Sequence, residues 1–141
     1  MIRAFTGPSR LGQRQARFVW ETVRSLVPAD EVRTGGAYGA DTEAAIASYA
    51  HLPDARHVIY LPAATYNEEV RHIPGVEFVL CDVGPTAAVS YRLRNQAMLE
   101  GVDELVAFVT APTFYRSGEW MTINIARKFS EHVNVDKRVL P

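Results

Sequence analysis

The sequence is poor in cysteine and has no long apolar run. Cys81 is the single cysteine among 141 residues, so no internal disulfide can form, and the four histidines lack the spacing of metal ligands. No apolar run approaches the ~18 residues of a membrane helix, and the N-terminus lacks a signal-peptide pattern. We therefore expect a soluble cytoplasmic protein with no metal, no cofactor and no membrane partner.

The sequence also lacks an excess of charge of either sign. It has 15 basic and 16 acidic side chains, for a net charge of -1. A protein that coats nucleic acid through bulk positive charge carries many more Lys and Arg residues. The balance therefore disfavours nucleic acid as a partner, although it leaves room for a local basic patch. Without a linker or repeat, the chain is expected to form one domain over residues 1–141.

Short apolar runs alternate with longer segments of helical period. We predict strands at Ile2–Thr6, Glu31–Thr34, His57–Leu61, Val76–Cys81 and Glu104–Thr110, with Val133–Leu140 as an edge strand or a tail. We predict helices at Leu11–Val27, Ala40–Ala50, Glu68–Ile73, Pro85–Glu100 and Trp120–His132. Because the strand runs are nearly continuously apolar, helices should cover both faces of a mostly parallel sheet, which is an α/β fold. Ligands of such sheets bind beyond the carboxyl ends of the strands.

The loop after the first strand contains Gly7, Ser9 and Arg10. A glycine lets the backbone approach a ligand closely, and the start of the following helix offers amide hydrogens to an anion. Ser9 would add a hydroxyl group and Arg10 a cation. An ordinary turn, with Ser9 capping the helix and Arg10 in solvent, explains the same residues.

The loop after the second strand is the richest in glycine, with Gly35, Gly36 and Gly39. Three glycines are costly in chain entropy, so either a ligand or tight strand-to-helix packing must require them. Asp41 either caps the next helix or binds a ribose hydroxyl. Tyr38 either stacks on a base or covers the loop.

Two later segments carry further candidates. Arg94 beside Asn95 offers a bidentate phosphate donor and an amide, or else forms a surface pair with a helix neighbour. Ser117 and Gly118 lead into the last long helix and suit an anion at its start. Glu119 could stabilise positive charge on a ribose or activate water, or it could complement the helix dipole.

Taken in order, these segments resemble the SLOG superfamily. The likeness covers "FTGPSR", "TGGAYGADTEAA", "YRLRNQAMLEGVDELVAF" and "SGEWMTINIA". The group includes cytokinin-activating phosphoribohydrolases, YpsA-like proteins and the core of DNA-processing protein A, and the small YpsA-related members are the most similar. The resemblance implies a Rossmann-like three-layer sandwich that binds a nucleotide-like molecule, commonly as a homodimer or higher homo-oligomer. It implies these ligand-binding positions: Gly7, Ser9, Arg10, Gly35, Gly36, Gly39, Asp41, Arg94, Asn95, Ser117, Gly118 and Thr122.

One departure bears on activity. Ile125 occupies the position where the phosphoribohydrolases carry a catalytic glutamate. We therefore predict a sensor or binding protein for an ADP-ribose-like compound or nucleoside phosphate. The alternative is an enzyme that cleaves or transfers at an N-glycosidic bond, with Glu119 and Arg94 as catalytic residues. The third hypothesis is nucleic-acid binding through a basic face, formed by Arg10, Arg14, Arg17, Arg92 and Arg94.

Overall fold

The computed structural model describes residues 1–62, 67–81, 84–111, 118–129 and 132–141. Its strands are β1 (Ile2–Thr6), β2 (Glu31–Thr34), β3 (Arg56–Leu61), β4 (Val76–Leu80), β5 (Glu104–Val109) and β6 (Asn134–Val139). Its helices are α1 (Gln13–Ser25), α2 (Ala40–His51), α3 (Glu68–Arg71), α4 (Ala87–Leu99) and α5 (Gly118–Phe129). Every predicted element is present with small shifts at its ends, and the segment predicted as an edge strand or a tail is the strand β6.

The strands form one six-stranded sheet in the order β4-β3-β2-β1-β5-β6. Every pairing is parallel, and β1 lies between β2 and β5, with Ala4 opposite both Arg33 and Leu105. The chain therefore adds strands in one direction as far as β4 and then returns to the other side of β1. The gap between β1 and β5 is the topological switch point, where ligands of open α/β sheets bind.

The two directions of travel place the helices on opposite faces. Parallel crossovers are right-handed, so helices made while the chain moves one way cover one face, and those made on return cover the other. Phe5 and Phe108 accordingly pack with residues of α1 and α2, whereas Ala4 and Leu105 pack with residues of α4 and α5. The predicted α/β, Rossmann-like three-layer arrangement is confirmed.

Helix α1 is strongly amphipathic. Val19 and Val23 are buried against the sheet, at the i, i+4 spacing of one helix face. Val27, the last residue of the predicted helix, lies beyond the end of α1 and is 66% exposed. The opposite side of α1 faces solvent and is charged. Within the described ranges, no helix combines the length and apolar character needed to cross a membrane.

Candidate nucleic-acid interface

The first two glycine-rich loops are packed against each other at the carboxyl ends of β1 and β2. The Ala40 amide donates to the Pro8 carbonyl at 3.0 Å. A Cβ atom added at Gly7 would lie 2.4 Å from Ala40 Cβ, and one added at Gly39 would lie 2.5 Å from the Pro8 oxygen. Gly7 is thus required beside the Ala40 side chain, and Gly39 is required where backbone meets backbone. We call this packed pair of loops the switch-point corner (residues 7–10 and 35–41).

The second loop is also held from the side of α3. Gly36 has a φ of +71°, and an added Cβ atom would lie 2.5 Å from Leu61 Cδ2. The buried Asn67 amide donates to the Gly36 carbonyl at 2.9 Å and to the Thr42 hydroxyl at 2.8 Å. Asn67 has a φ of 46°, which makes it the non-glycine residue with positive φ in the described ranges. Sequence reasoning missed it, because an asparagine before a short helix looks like a simple cap.

Arg94 lies inside the protein, beneath this corner. Its side chain is 6% exposed, and the guanidinium donates to the Gly35 carbonyl and to Asn95 Oδ1, the latter at 2.7 Å. A Cβ atom added at Gly35 would lie 2.6 Å from Arg94 Nη1 and 2.8 Å from Asp41 Oδ2. Asp41 also accepts a hydrogen bond from the Ala37 amide at 3.2 Å. Arg94, which is itself held by Asn95, and Asp41 therefore meet at Gly35 and brace the loop from below.

The last predicted segment is only partly described. Ser117 and the side chain of Glu119 lie outside the described residues, and Gly118 is the first residue of α5. Thr122 is 1% exposed, and its hydroxyl lies 3.4 Å from that of Thr6. Ile125 is buried in the core. The structure thus places Thr122 beneath the switch point and Ile125 in apolar packing.

A row of exposed arginines begins at the switch-point corner and follows the outer side of α1. Arg14, Arg17 and Arg24 recur at helical spacing, and Arg10 precedes the helix by about one turn. We call these four exposed residues the basic stripe. Within the described part of the chain, no carboxylate lies within ion-pair distance of any of them, although exposed Glu21 lies on the same side of the helix.

The basic stripe differs from the basic face expected from the sequence. Arg94 is buried, and Arg92 is exposed on α4, which covers the opposite face of the sheet. Arg24 was missed, although its separation of seven residues from Arg17 is two helical turns and could have identified it. The exposed members at the corner are Ser9, Arg10 and Tyr38, whose side chain is 46% exposed.

The described residues form no group of three or more His, Cys, Asp or Glu side chains that could hold a metal ion. Glu43, another carboxylate near the corner, accepts a hydrogen bond from Trp20 Nε1 at 2.6 Å. A carboxylate engaged in this way links α1 to α2, and its position is explained by packing.

The fold places the chain among Rossmann-like α/β proteins, and two solved structures share it. Both are of DNA processing protein A. The Helicobacter pylori protein, described for its single-stranded DNA binding mode, matches with a TM-score of 0.66 and 18% identity, covering 96% of this chain and 64% of its own. The Streptococcus pneumoniae protein matches with a TM-score of 0.71 and 17% identity, covering 96% and 49%. The chain thus spans between about half and two thirds of the length of these neighbours.

No protein-family model and no curated protein sequence matches the chain. The structural likeness shows a Rossmann-like fold alone, and the assignment to YpsA-related SLOG proteins has no support beyond its motifs. The neighbours are DNA-processing proteins, and one is described as binding single-stranded DNA. The prediction of a nucleotide-like small-molecule ligand is therefore wrong, as is the expectation that nucleic acid is an unlikely partner.

The physical reason for this correction lies in the glycines. From the sequence, Gly7, Gly36 and Gly39 fit either close approach of a phosphate or sugar or tight packing of the chain. In the structure, the space that a Cβ atom would occupy is filled by protein atoms 2.4–2.5 Å away. The loops are built for close packing of the chain against itself, which is the alternative that the sequence left open.

Proposed function

We propose that this chain binds single-stranded nucleic acid along the basic stripe, with the exposed corner residues contacting a base. The observation that carries the proposal is a continuous row of exposed arginines that ends at the switch-point corner. A net charge near zero does not oppose it, because the positive groups are concentrated on one side of one helix.

The stripe has the reach and charge to follow a nucleic-acid backbone. Arg14 and Arg24 are ten residues apart, which corresponds to about 15 Å along the helix axis. Four guanidinium groups against Glu21 leave a local excess of positive charge, and a guanidinium group pairs with phosphate oxygens in bidentate fashion. Phosphate neutralisation of this kind is independent of sequence, so we expect little base preference from the stripe itself.

The corner adds a stacking surface. Gly39 contacts the backbone of Ser9, and Tyr38 precedes Gly39, so the exposed Tyr38 ring lies at the same corner as Ser9 and Arg10. An aromatic ring that stacks on a base contributes ~1–3 kcal/mol and requires a base free of its own neighbours. This requirement favours single strands over duplexes.

The corner is also rigidly supported, which suits a binding surface. Below it, Arg94 donates to the Gly35 carbonyl, and from the side, Asn67 donates to the Gly36 carbonyl. Residues held from two directions lose little conformational freedom when a ligand binds. In this proposal, Arg94 and Asn67 are positioning residues that do not touch the nucleic acid.

The test is the anisotropy of a fluorescently labelled oligothymidine, titrated with protein over a range of salt concentrations. If all four arginines neutralise phosphates, log K should fall against log salt with a slope of about -2.8. Affinity should then fall about fifty-fold between about 50 and 200 mM salt. Replacing Arg14 and Arg17 together with alanine should reduce the slope by about 1.4.

The matched control replaces Arg92 and Arg127 with alanine. Both are exposed, both lie on helices of the opposite sheet face, and the change in charge is identical. This control should bind as the wild type does. Equal weakening by both double variants would show a bulk charge effect, and absence of binding at the lowest salt would refute the proposal. A duplex formed from the same oligothymidine and its complement should bind more weakly than the single strand.

The finer family assignment is a separate part of the proposal. The order of "FTGPSR", "TGGAYGAD" and "RN" supports kinship with small YpsA-related SLOG proteins. A binding surface on α1 does not depend on that kinship.

A further inference from the structure

Strand β4 exposes apolar side chains on both faces of the sheet. Phe78, Val79 and Leu80 are 40%, 37% and 58% exposed. Phe78 and Leu80 are opposite Ile59 and Leu61, on the face covered by α2 and α3, whereas Val79 points to the other face. Apolar runs of this kind are usually covered, so the exposure calls for an explanation.

Next to β4, on the α3 face, lies a cleft of about 370 Å³, lined by Leu61, Arg71, Phe78 and Leu80. Among the described residues that line it, three of the four side chains are apolar. The guanidinium group of Arg71 lies 3.8 Å from the Glu68 carboxylate, so its charge is partly balanced within α3. A cleft of this composition suits apolar side chains that arrive beside the strand.

The two edges of the sheet are protected very differently. Strand β6 carries Asp136, Lys137 and Arg138 in a row, with Asp136 and Arg138 paired at 3.0 Å. Charged side chains on an edge strand oppose pairing with another strand. Strand β4 carries one charged residue, Glu77, whose carboxylate is paired with Arg56, and it contains neither lysine nor proline.

We propose that the exposed edge of β4 docks a second copy of this chain, with the two β4 strands pairing antiparallel about a two-fold axis. An axis perpendicular to the sheet keeps each face on its own side, so opposite residues must share a face. Centring the axis on Phe78 pairs all five residues of the strand. Phe78 then faces its own copy, Val76 faces Leu80, and Glu77 faces Val79.

This register makes a second copy the best occupant. No like charges face each other, because Glu77 lies opposite an apolar residue and is already bound to Arg56. The partner strand brings apolar side chains to both faces, as the exposed edge requires, and its Phe78 and Val76 arrive beside the cleft. An isologous contact of this kind closes on itself and leaves only the charged β6 strands as edges of a twelve-stranded sheet.

The first test is the molar mass in solution, measured by light scattering across a dilution series. The wild type should have twice the monomer mass of 15.7 kDa at high concentration. Phe78→Lys should be monomeric, because two ammonium groups would face each other across the axis. Val139→Lys is the control: it adds the same charge at a similarly exposed position, 47% exposed, on the other edge, and should remain dimeric.

The second test is a cross-link that is independent of the lysine variant. In a Cys81→Ser background, Phe78→Cys should form an intermolecular disulfide under mild oxidation, because opposite Cα atoms of antiparallel strands lie about 4.5–5.5 Å apart. Val79→Cys should not, since it faces position 77. A wild type that is monomeric throughout, or a dimer that survives Phe78→Lys and does not cross-link through position 78, would overturn the proposal.

Discussion

Replacing the buried Arg94 with methionine should destabilise the fold without removing a nucleic-acid contact. Methionine keeps most of the apolar stem but cannot donate hydrogen bonds. The Gly35 carbonyl and Asn95 Oδ1 would each lose a donor in a buried setting. A buried acceptor left without a donor costs about 1–3 kcal/mol, so we expect the free energy of unfolding to fall by about 3 kcal/mol.

This loss should be visible in thermal unfolding. An unfolding entropy of about 2.1 cal/mol/K per residue gives about 0.3 kcal/mol/K for 141 residues. A loss of about 3 kcal/mol therefore lowers the melting temperature by about 10 °C. Urea denaturation followed by circular dichroism gives the free energy, and scanning calorimetry gives the temperature.

The neighbouring helix residue supplies the control. Arg92→Met makes the same chemical change at an exposed position of α4 and should shift stability by less than about 0.5 kcal/mol. Well below its melting temperature, Arg94→Met should bind oligothymidine with the wild-type salt slope. If Arg94→Met were as stable as Arg92→Met, or bound with a reduced slope, its assignment as an internal brace would be refuted.

Two further predictions concern the loops and the sheet. Gly39→Ala should lower the free energy of unfolding, measured in urea, by about 3 kcal/mol or more, because Gly39 combines a φ of +77° with an approach of 2.5 Å to the Pro8 oxygen. Gly101→Ala, at the same φ but with open space around it, should lower it by about 1–2 kcal/mol. Equal losses would contradict the packing role of Gly39. Burial raises the pKa of the Tyr60 phenol above its ordinary value of 10.0, against the opposing charge of Arg33. Because the folded-state pKa lies above the unfolded one, the wild type should lose stability relative to Tyr60→Phe as pH rises above 10.0; parallel stability curves would refute this.

The elements of the fold could be predicted because their local signals agree with the final packing. The largely apolar run predicted as a strand at Glu104–Thr110 becomes β5, which lies between β1 and β6, and Gly101, just after α4, has the positive φ of +77° common where helices end. The apolar run of β4 gave the same signal as β5. Its exposure follows from strand order, which the local pattern does not contain.

The site was harder to predict than the fold. Helix α4 buries Ser90, Arg94 and Asn95, so its inward side is partly polar and the hydrophobic pattern gave no indication of which arginine lay inside. The grouping of Arg92 with Arg10, Arg14 and Arg17 failed for a different reason. Arginines on different helices share one basic face only if those helices cover the same side of the sheet. The side that each helix covers depends on the order of all the strands, which the local sequence does not show.

The central position of β1 has a consequence for how the chain reaches its fold. One neighbour of β1 is β2, but the other is β5, and the pairing of Arg3 with Glu104 joins residues 101 positions apart. During synthesis, β1 can pair with β5 only after most of the chain has left the ribosome. Contacts between such distant segments slow folding, so the half-formed sheet needs protection from other chains during that interval.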